Sequence, residues 1–144
     1  MPVATTYDAL RASLITTIAG ITPSYTPSSA SLWCPVQAPK DVPSSDPRNF
    51  YVRLSTPVED GEVYGGCLRH TAELEVITSY GGLSGAEQDV MTARDNQDLW
   101  RELHRAGLEG GPKFAKDGFN DESDDGRQWG AHVFTVTFFM PLET

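Results

Sequence analysis

The spacing of apolar residues changes several times along the chain, and each change marks an element. Between residues 5 and 20, Tyr7, Leu10, Leu14 and Ile18 recur at helical spacing, and Ile15 widens the stripe. Thr5 can cap this helix, Asp8 stands three positions on as in a capping box, and Gly20 is the expected stop. Residues 49–55, NFYVRLS, alternate Phe50, Val52 and Leu54 with Tyr51, Arg53 and Ser55, which predicts a strand. A longer alternation follows. Leu68, His70, Ala72, Leu74 and Val76 fall on one parity, with Arg69, Thr71, Glu73 and Glu75 on the other, the signature of a half-buried strand over 67–80. Asp60-Gly61, between the two, has tight-turn chemistry and implies antiparallel pairing, with Gly65-Gly66 adding a bulge or a longer excursion.

A second helix is predicted from a Ser84 cap to Ala106, with Ser84 and Glu87 at capping-box spacing and Gly107 as its stop. Val90, Ala93, Leu99, Trp100, Leu103 and Ala106 form its expected apolar stripe. Arg94, Asp95, Asp98, Arg101, Glu102 and Arg105 are assigned to a solvated or interface face. The closing AHVFTVTFFMPLE carries apolar side chains on both parities. That pattern suits a central strand, or an edge covered by another chain.

Two segments break the periodicity. Six of the ten prolines lie within 22–48, mixed with serines, which excludes a long helix and any central strand. A surface loop is expected there, with one short extended piece around 32–36. It is either plainly mobile or an arm that orders against a neighbouring subunit. Residues 109–127 are rich in glycine and acid and read as a second loop, with an irregular hairpin turn at Asp125-Gly126. The whole predicts one α+β domain over 1–144: a mixed or antiparallel sheet of about four strands, two helices packed on one face, and long polar loops. No internal repeat is present.

Composition narrows the picture. A chain of 144 residues can bury roughly 68–70% of its unfolded surface without staples, and two cysteines make no disulfide framework. The opening MPVATTYDALRASLITTIAGI lacks a basic region before an unbroken apolar run. No stretch approaches the ~20 apolar residues that span a bilayer. A soluble intracellular product with reduced thiols and no membrane association is expected. Twenty acidic residues against eleven basic give a net charge of −9, which repels phosphate and argues against wrapping nucleic acid. A protein that surrounds DNA without gripping it remains compatible.

Candidate chemistry is sparse. Cys67 and His70 stand at a ligand-like spacing, but three positions along a strand point to opposite faces, and Cys34, His104 and His132 offer no second pair for zinc. Asp121-x-Ser123-x-Asp125-Gly126 opens like a calcium loop, yet its twelfth position is His132 where glutamate is required. Cys34 lies in no nucleophile motif, and Glu73 with Glu75 fits a solvated strand face better than an acid–base pair. Neither a phosphate loop nor a basic stripe interleaved with aromatics is present. No metal, cofactor or catalytic residue is assigned, and an enzyme is not expected.

The order of elements, carried by YDALRASLITTIAGI, NFYVRLS, CLRHTAELEVITSYGG leading into DVMTARDNQDLWRELHRAG, and WGAHVFTVTFFMPLE, resembles the tail terminator (minor tail or tail completion) proteins of long-tailed bacteriophages. The likeness spans most of the chain and rests on pattern, with no diagnostic short motif. The long 22–48 excursion and the glycine-rich loop near 110–126 depart from it. The resemblance implies a homo-oligomeric ring, a hexamer, that caps the tail tube, ends its polymerisation and offers a surface to the head–tail connector. DNA passes through its lumen without specific binding. The protein would then belong to the tail or neck of the virion, after assembly in the host cytoplasm. Two polar segments are the expected contacts with ring or tube partners: Val58–Glu62, with Glu59, Asp60 and Glu62, and Asp117–Asp125, with Asp117, Asp121, Glu122, Asp124 and Asp125. A head-completion or connector protein of the same virion is the nearest rival. A small hydrolase using Cys34 or a carboxylate pair, and a monomeric binding module, are more distant ones.

Overall fold

The computed structural model describes residues 4–26, 32–43, 47–106, 111–122 and 128–141. Among them are two α-helices and a mixed six-stranded sheet, so the chain is α+β, with two more strands than the alternation predicts. Helix α1 (Tyr7–Ala19) precedes strand β1 (Cys34–Pro35), a 3-10 turn (Pro39–Asp41), β2 (Asn49–Leu54), β3 (Val58–Tyr64) and β4 (Cys67–Ser79). Helix α2 (Gly85–Ala106) leads to β5 (Lys113–Asp121) and β6 (Trp129–Pro141). The sheet runs β1-β2-β4-β6-β5, and β3 joins the same edge of β4 below β2. Only β1 is parallel to its neighbour.

Both helices cover one face. Leu10, Leu14 and Ile18 of α1 and Leu99 and Leu103 of α2 share a single cluster with Phe50, Val52, Leu54, Leu74, Val76, Phe134, Val136 and Phe138. Each of the larger side chains stabilises the fold by roughly 1.5–3 kcal/mol through burial. β6 lies between β4 and β5 and is buried on both faces over much of its length, which explains its apolar residues on both parities. A smaller cluster of Val42, Ile77, Ala131 and Val133 sits apart from it, closed by Val36, Tyr51 and Trp129.

Several local expectations are corrected. Thr6, not Thr5, caps α1: it is the residue with extended backbone before the first turn, and its hydroxyl accepts from Ala9 N at 3.2 Å. Ser84 and Glu87 do form the reciprocal box, with Ser84 N donating to Glu87 Oε1 at 3.1 Å and Glu87 N to Ser84 Oγ at 3.2 Å. The buried face of α2 is shifted from the predicted stripe. Val90 and Ala93 are exposed, while Met91, Asp95, Asn96 and Asp98 are buried beside Leu99 and Leu103. β2 and β4 pair antiparallel as expected, but Asp60-Gly61 is not their turn. It is a bulge inside β3, and the turn into β4 is at Gly65-Gly66. A glycine with φ of 86° serves a bulge as readily as a hairpin, so the dipeptide does not distinguish them. The segment 109–127 is also not a continuous loop, since Lys113–Asp121 forms β5. Gly107 and Asp125-Gly126 lie outside the described residues. The proline-rich excursion carries the expected short extended piece, yet Trp33, Val42 and Arg48 within it are buried.

Candidate functional site

The predicted interface residues fall on two separate strands. Glu59, Asp60 and Glu62 belong to β3, which among the described residues pairs only with β4, so its outer edge bounds the sheet there. Val58–Glu62 is therefore strand, and the expectation of a turn there is corrected. Val58 and Val63 of the same strand are 67% and 56% exposed. Asp60 accepts from Arg69 Nε at 2.7 and 2.8 Å, which fixes its carboxylate over the N-terminal half of β4. Asp117 and Asp121 belong to β5, which among the described residues pairs only with β6 and bounds the opposite side. Asp117 accepts from Thr135 Oγ1 at 2.6 Å, and the exposed Glu122 donates its backbone N–H to Trp129 O just past the strand. Asp124 and Asp125 lie outside the described residues. The two groups are thus held at opposite margins of the sheet, with β4 and β6 between them.

A notch of about 360 Å³ opens next to β3, where β2 and β3 part company along β4. Ser55, Val58, Asp60, Thr71, Glu73 and Thr135 line it. Glu73 is exposed and Glu75 half-buried on this polar face, where they do not form a sequestered acid–base pair.

The third margin is closed. The carbonyls of Arg48, Phe50, Val52 and Leu54 point away from β4, and each has a partner. Cys34 N donates to Arg48 O and Val36 N to Phe50 O. Arg11 donates to Val52 O from Nε and Nη2 at 3.2 and 2.9 Å, and the Tyr7 hydroxyl donates to Leu54 O. A short strand and two helix side chains together seal the edge of β2.

Sequence reasoning missed the most perturbed titratable groups, which form a buried chain between α2 and the sheet. Arg48 Nη2 meets Asp95 Oδ1 at 2.8 Å, with Nε at 3.1 and 3.2 Å from the two oxygens. Tyr80 Oη lies 2.9 Å from Asp95 Oδ2 and 2.6 Å from His132 Nε2, and Asn96 Nδ2 lies 2.9 Å from His132 Nδ1. One proton arrangement satisfies every contact. Asn96 donates to Nδ1, Nε2–H donates to the phenol oxygen, and the phenol donates to Asp95, which also accepts from Arg48. This assignment needs a neutral His132, and burial, aided by Lys116, lowers its pKa to about 3. Burial raises Asp95 to about 6, opposed by the Arg48 hydrogen bond and charge. Tyr80 is pushed well above its ordinary value, chiefly by burial.

Arg48, Tyr80, Asp95 and His132 are each 0% exposed and closed off from solvent. Arg48 also carries a left-handed backbone, φ 65°, held by Arg48 N donating to Ser79 O and by Cys34 N on its carbonyl. Its guanidinium donates to Tyr25 O as well. The cluster thereby ties the proline-rich excursion to α2 and to the end of β4. The one signal that could have found it is Asp95 itself, an acid placed four positions before Leu99 on the buried face.

His70 Nδ1 contacts Leu68 O at 2.9 Å, and its ring packs on Phe138, so the strand reading of that residue stands. Among the described residues no three His, Cys, Asp or Glu side chains gather at a metal-binding distance. No helix among them is long and apolar enough to cross a membrane. No family model matches the chain, and a search of curated proteins found no match.

Proposed function

We propose that this protein is a structural component of a bacteriophage virion, a ring that caps the tail tube, terminates its polymerisation and receives the head–tail connector. The observation that carries the reading is the placement of the two acidic segments on opposite outer strands, β3 and β5. A protomer in a closed ring meets two different neighbours through two different surfaces, and margins of this kind supply them. The element order that resembles tail terminators supports the same conclusion. The net charge of −9 suits a lumen through which DNA slides without being held. The proposal places no reaction centre in the protein, in keeping with the burial of its perturbed groups. Its partners are copies of itself, the tube protein and the connector, and its site is the tail or neck of the particle.

Electron microscopy of phage lacking the gene tests this. Tails of uncontrolled length without heads are expected. Normal tails beside empty heads would move the protein to the head side of the neck, as a completion or connector component.

A further inference from the structure

The ring reading leaves open how one copy grips the next, and the sheet margins supply an answer that rests on that reading. We propose that β5 of one copy adds antiparallel to β3 of its neighbour, extending the sheet from chain to chain. Direction is the first argument. β3 and β6 both run against β4, and β5 runs against β6, so β3 and β5 point in opposite directions. A neighbour displaced in the plane of the sheet, without being turned over, presents its β5 antiparallel to β3. Strand addition across such edges supplies main-chain hydrogen bonds at both margins.

Selection among edges is the second argument. The β2 edge is sealed by β1, Arg11 and Tyr7, and β1 is itself only two residues long with Pro35 lacking an N–H, which leaves β3 and β5 as the longer outer strands without a second neighbour among the described residues. Both carry a bulge, between Glu59 and Val63 in β3 and between Lys116 and Gly118 in β5. Bulges prevent indiscriminate pairing and confine contact to short segments. Lys113–Lys116 is one such segment in unbroken register with β6.

Charge is the third argument. The N-terminal half of β5 presents Lys113 and Lys116, both exposed, while β3 carries Glu59, Asp60 and Glu62 between its exposed valines. The notch beside β3, lined by Asp60 and Glu73, has room for a lysine side chain from the neighbour. Pairing β3 with itself across a two-fold axis would oppose like charges. Pairing β5 with itself could match lysine to aspartate, but it would leave Val58 and Val63 uncovered.

Charge reversal on the full-length protein decides between these arrangements. Lys113→Glu with Lys116→Glu, and separately Glu59→Lys with Glu62→Lys, are compared by sedimentation velocity and native mass spectrometry, with circular dichroism to verify folding. Wild type is expected to assemble beyond a dimer. Each folded variant is expected to weaken assembly by at least about tenfold, because two attractive cross-strand pairs become repulsive. An equimolar mixture of the variants should recover it, since each β5–β3 joint is again matched when they alternate, and only even-numbered rings should form. Wild type that stays monomeric, a variant that assembles like wild type, a mixture that stays dissociated, or a dimer indifferent to the β3 change would each overturn the proposal. Imaging the same samples with purified tube protein of the same virion separates it from the ring reading. Capping by variants that assemble normally sinks the joint alone, and charge-dependent assembly that ignores tube ends sinks the reading alone.

Discussion

Arg48 and Asp95, 47 positions apart, meet as a fully buried ion pair with Nη2 2.8 Å from Oδ1. A buried pair is weak evidence of net stabilisation, but removing one partner strands the other in the interior. Asp95→Ala is expected to lower stability by about 3–5 kcal/mol, measured by urea denaturation. Arg48→Met with Asp95→Leu should recover a large part of that loss. A single variant within about 1 kcal/mol of wild type would show that the guanidinium is not committed to this carboxylate.

His132 and Asp95 act on the pH dependence of stability in opposite senses. The folded chain holds His132 neutral down to about 3, against 6.5 ordinarily, so the unfolded chain binds the extra proton in that window and stability rises with pH. Asp95 is raised from 3.8 to about 6, so there the folded chain binds the extra proton and stability falls as pH rises. Each slope is about 1.4 kcal/mol per pH unit, and the two offset one another between roughly pH 4 and 6. Relative to wild type, Asp95→Asn should therefore steepen the gain in stability with rising pH across that interval. His132→Gln should turn the slope downward. Denaturation midpoints taken at half-unit pH steps check both signs, and equal slopes in all three proteins would contradict the assignment.

The two α1 side chains on the β2 edge are individually modest in energy. Tyr7→Phe and Arg11→Ala each leave a strand carbonyl without its donor, at a cost of about 0.5–1.5 kcal/mol. Arg11 also lies over the Tyr51 ring at 5.1 Å, so its removal should be the costlier. The double variant is expected to self-associate more readily than wild type, because it exposes a further edge. Light scattering at matched concentration reads that effect independently of stability.

Gly130 pairs with Asp121 across the β5–β6 ladder, and its lack of a side chain lets Phe119 and Asn120 approach it closely. A Cβ at this position would stand 2.3 Å from Phe119 Cζ and 2.6 Å from Asn120 O. Gly130→Ala is expected to destabilise by about 1–3 kcal/mol, because β5 must move away from β6 or the ring must leave its rotamer. Thermal unfolding measures this. Adding Phe119→Ala should relieve only the part due to the ring, since the 2.6 Å approach to the Asn120 carbonyl remains, and it also loses the ring's packing against Tyr80 and His132.

Regular periodicity was readable and interrupted periodicity was not. Leu10, Leu14 and Ile18, and the alternations of β2, β4 and β6, announced their elements because each keeps one period throughout. β5 did not. Its inward residues, Phe114 and Phe119, are five apart, an odd spacing that no regular strand keeps on one face, and the bulge between Lys116 and Gly118 supplies the extra residue that aligns them. Asp95 looked solvated because it is charged, although its spacing from Leu99 puts it on the buried face, and its burial depends on an arginine far along the chain. Of the predicted interface residues, Glu59, Asp60 and Glu62 lie on β3 and Asp117 and Asp121 on β5, strands where a turn and a loop were expected.

The ladder between β4 and β6 pairs all 13 residues of each strand, while β3 holds β4 by only a few rungs on either side of its bulge. Tension applied along the long ladder strains every rung simultaneously. Tension applied through β3 peels its rungs one after another. The molecule therefore has a mechanical fuse at one margin and a stiff spar at its centre, so force arriving through β3 dissipates before it reaches the helices.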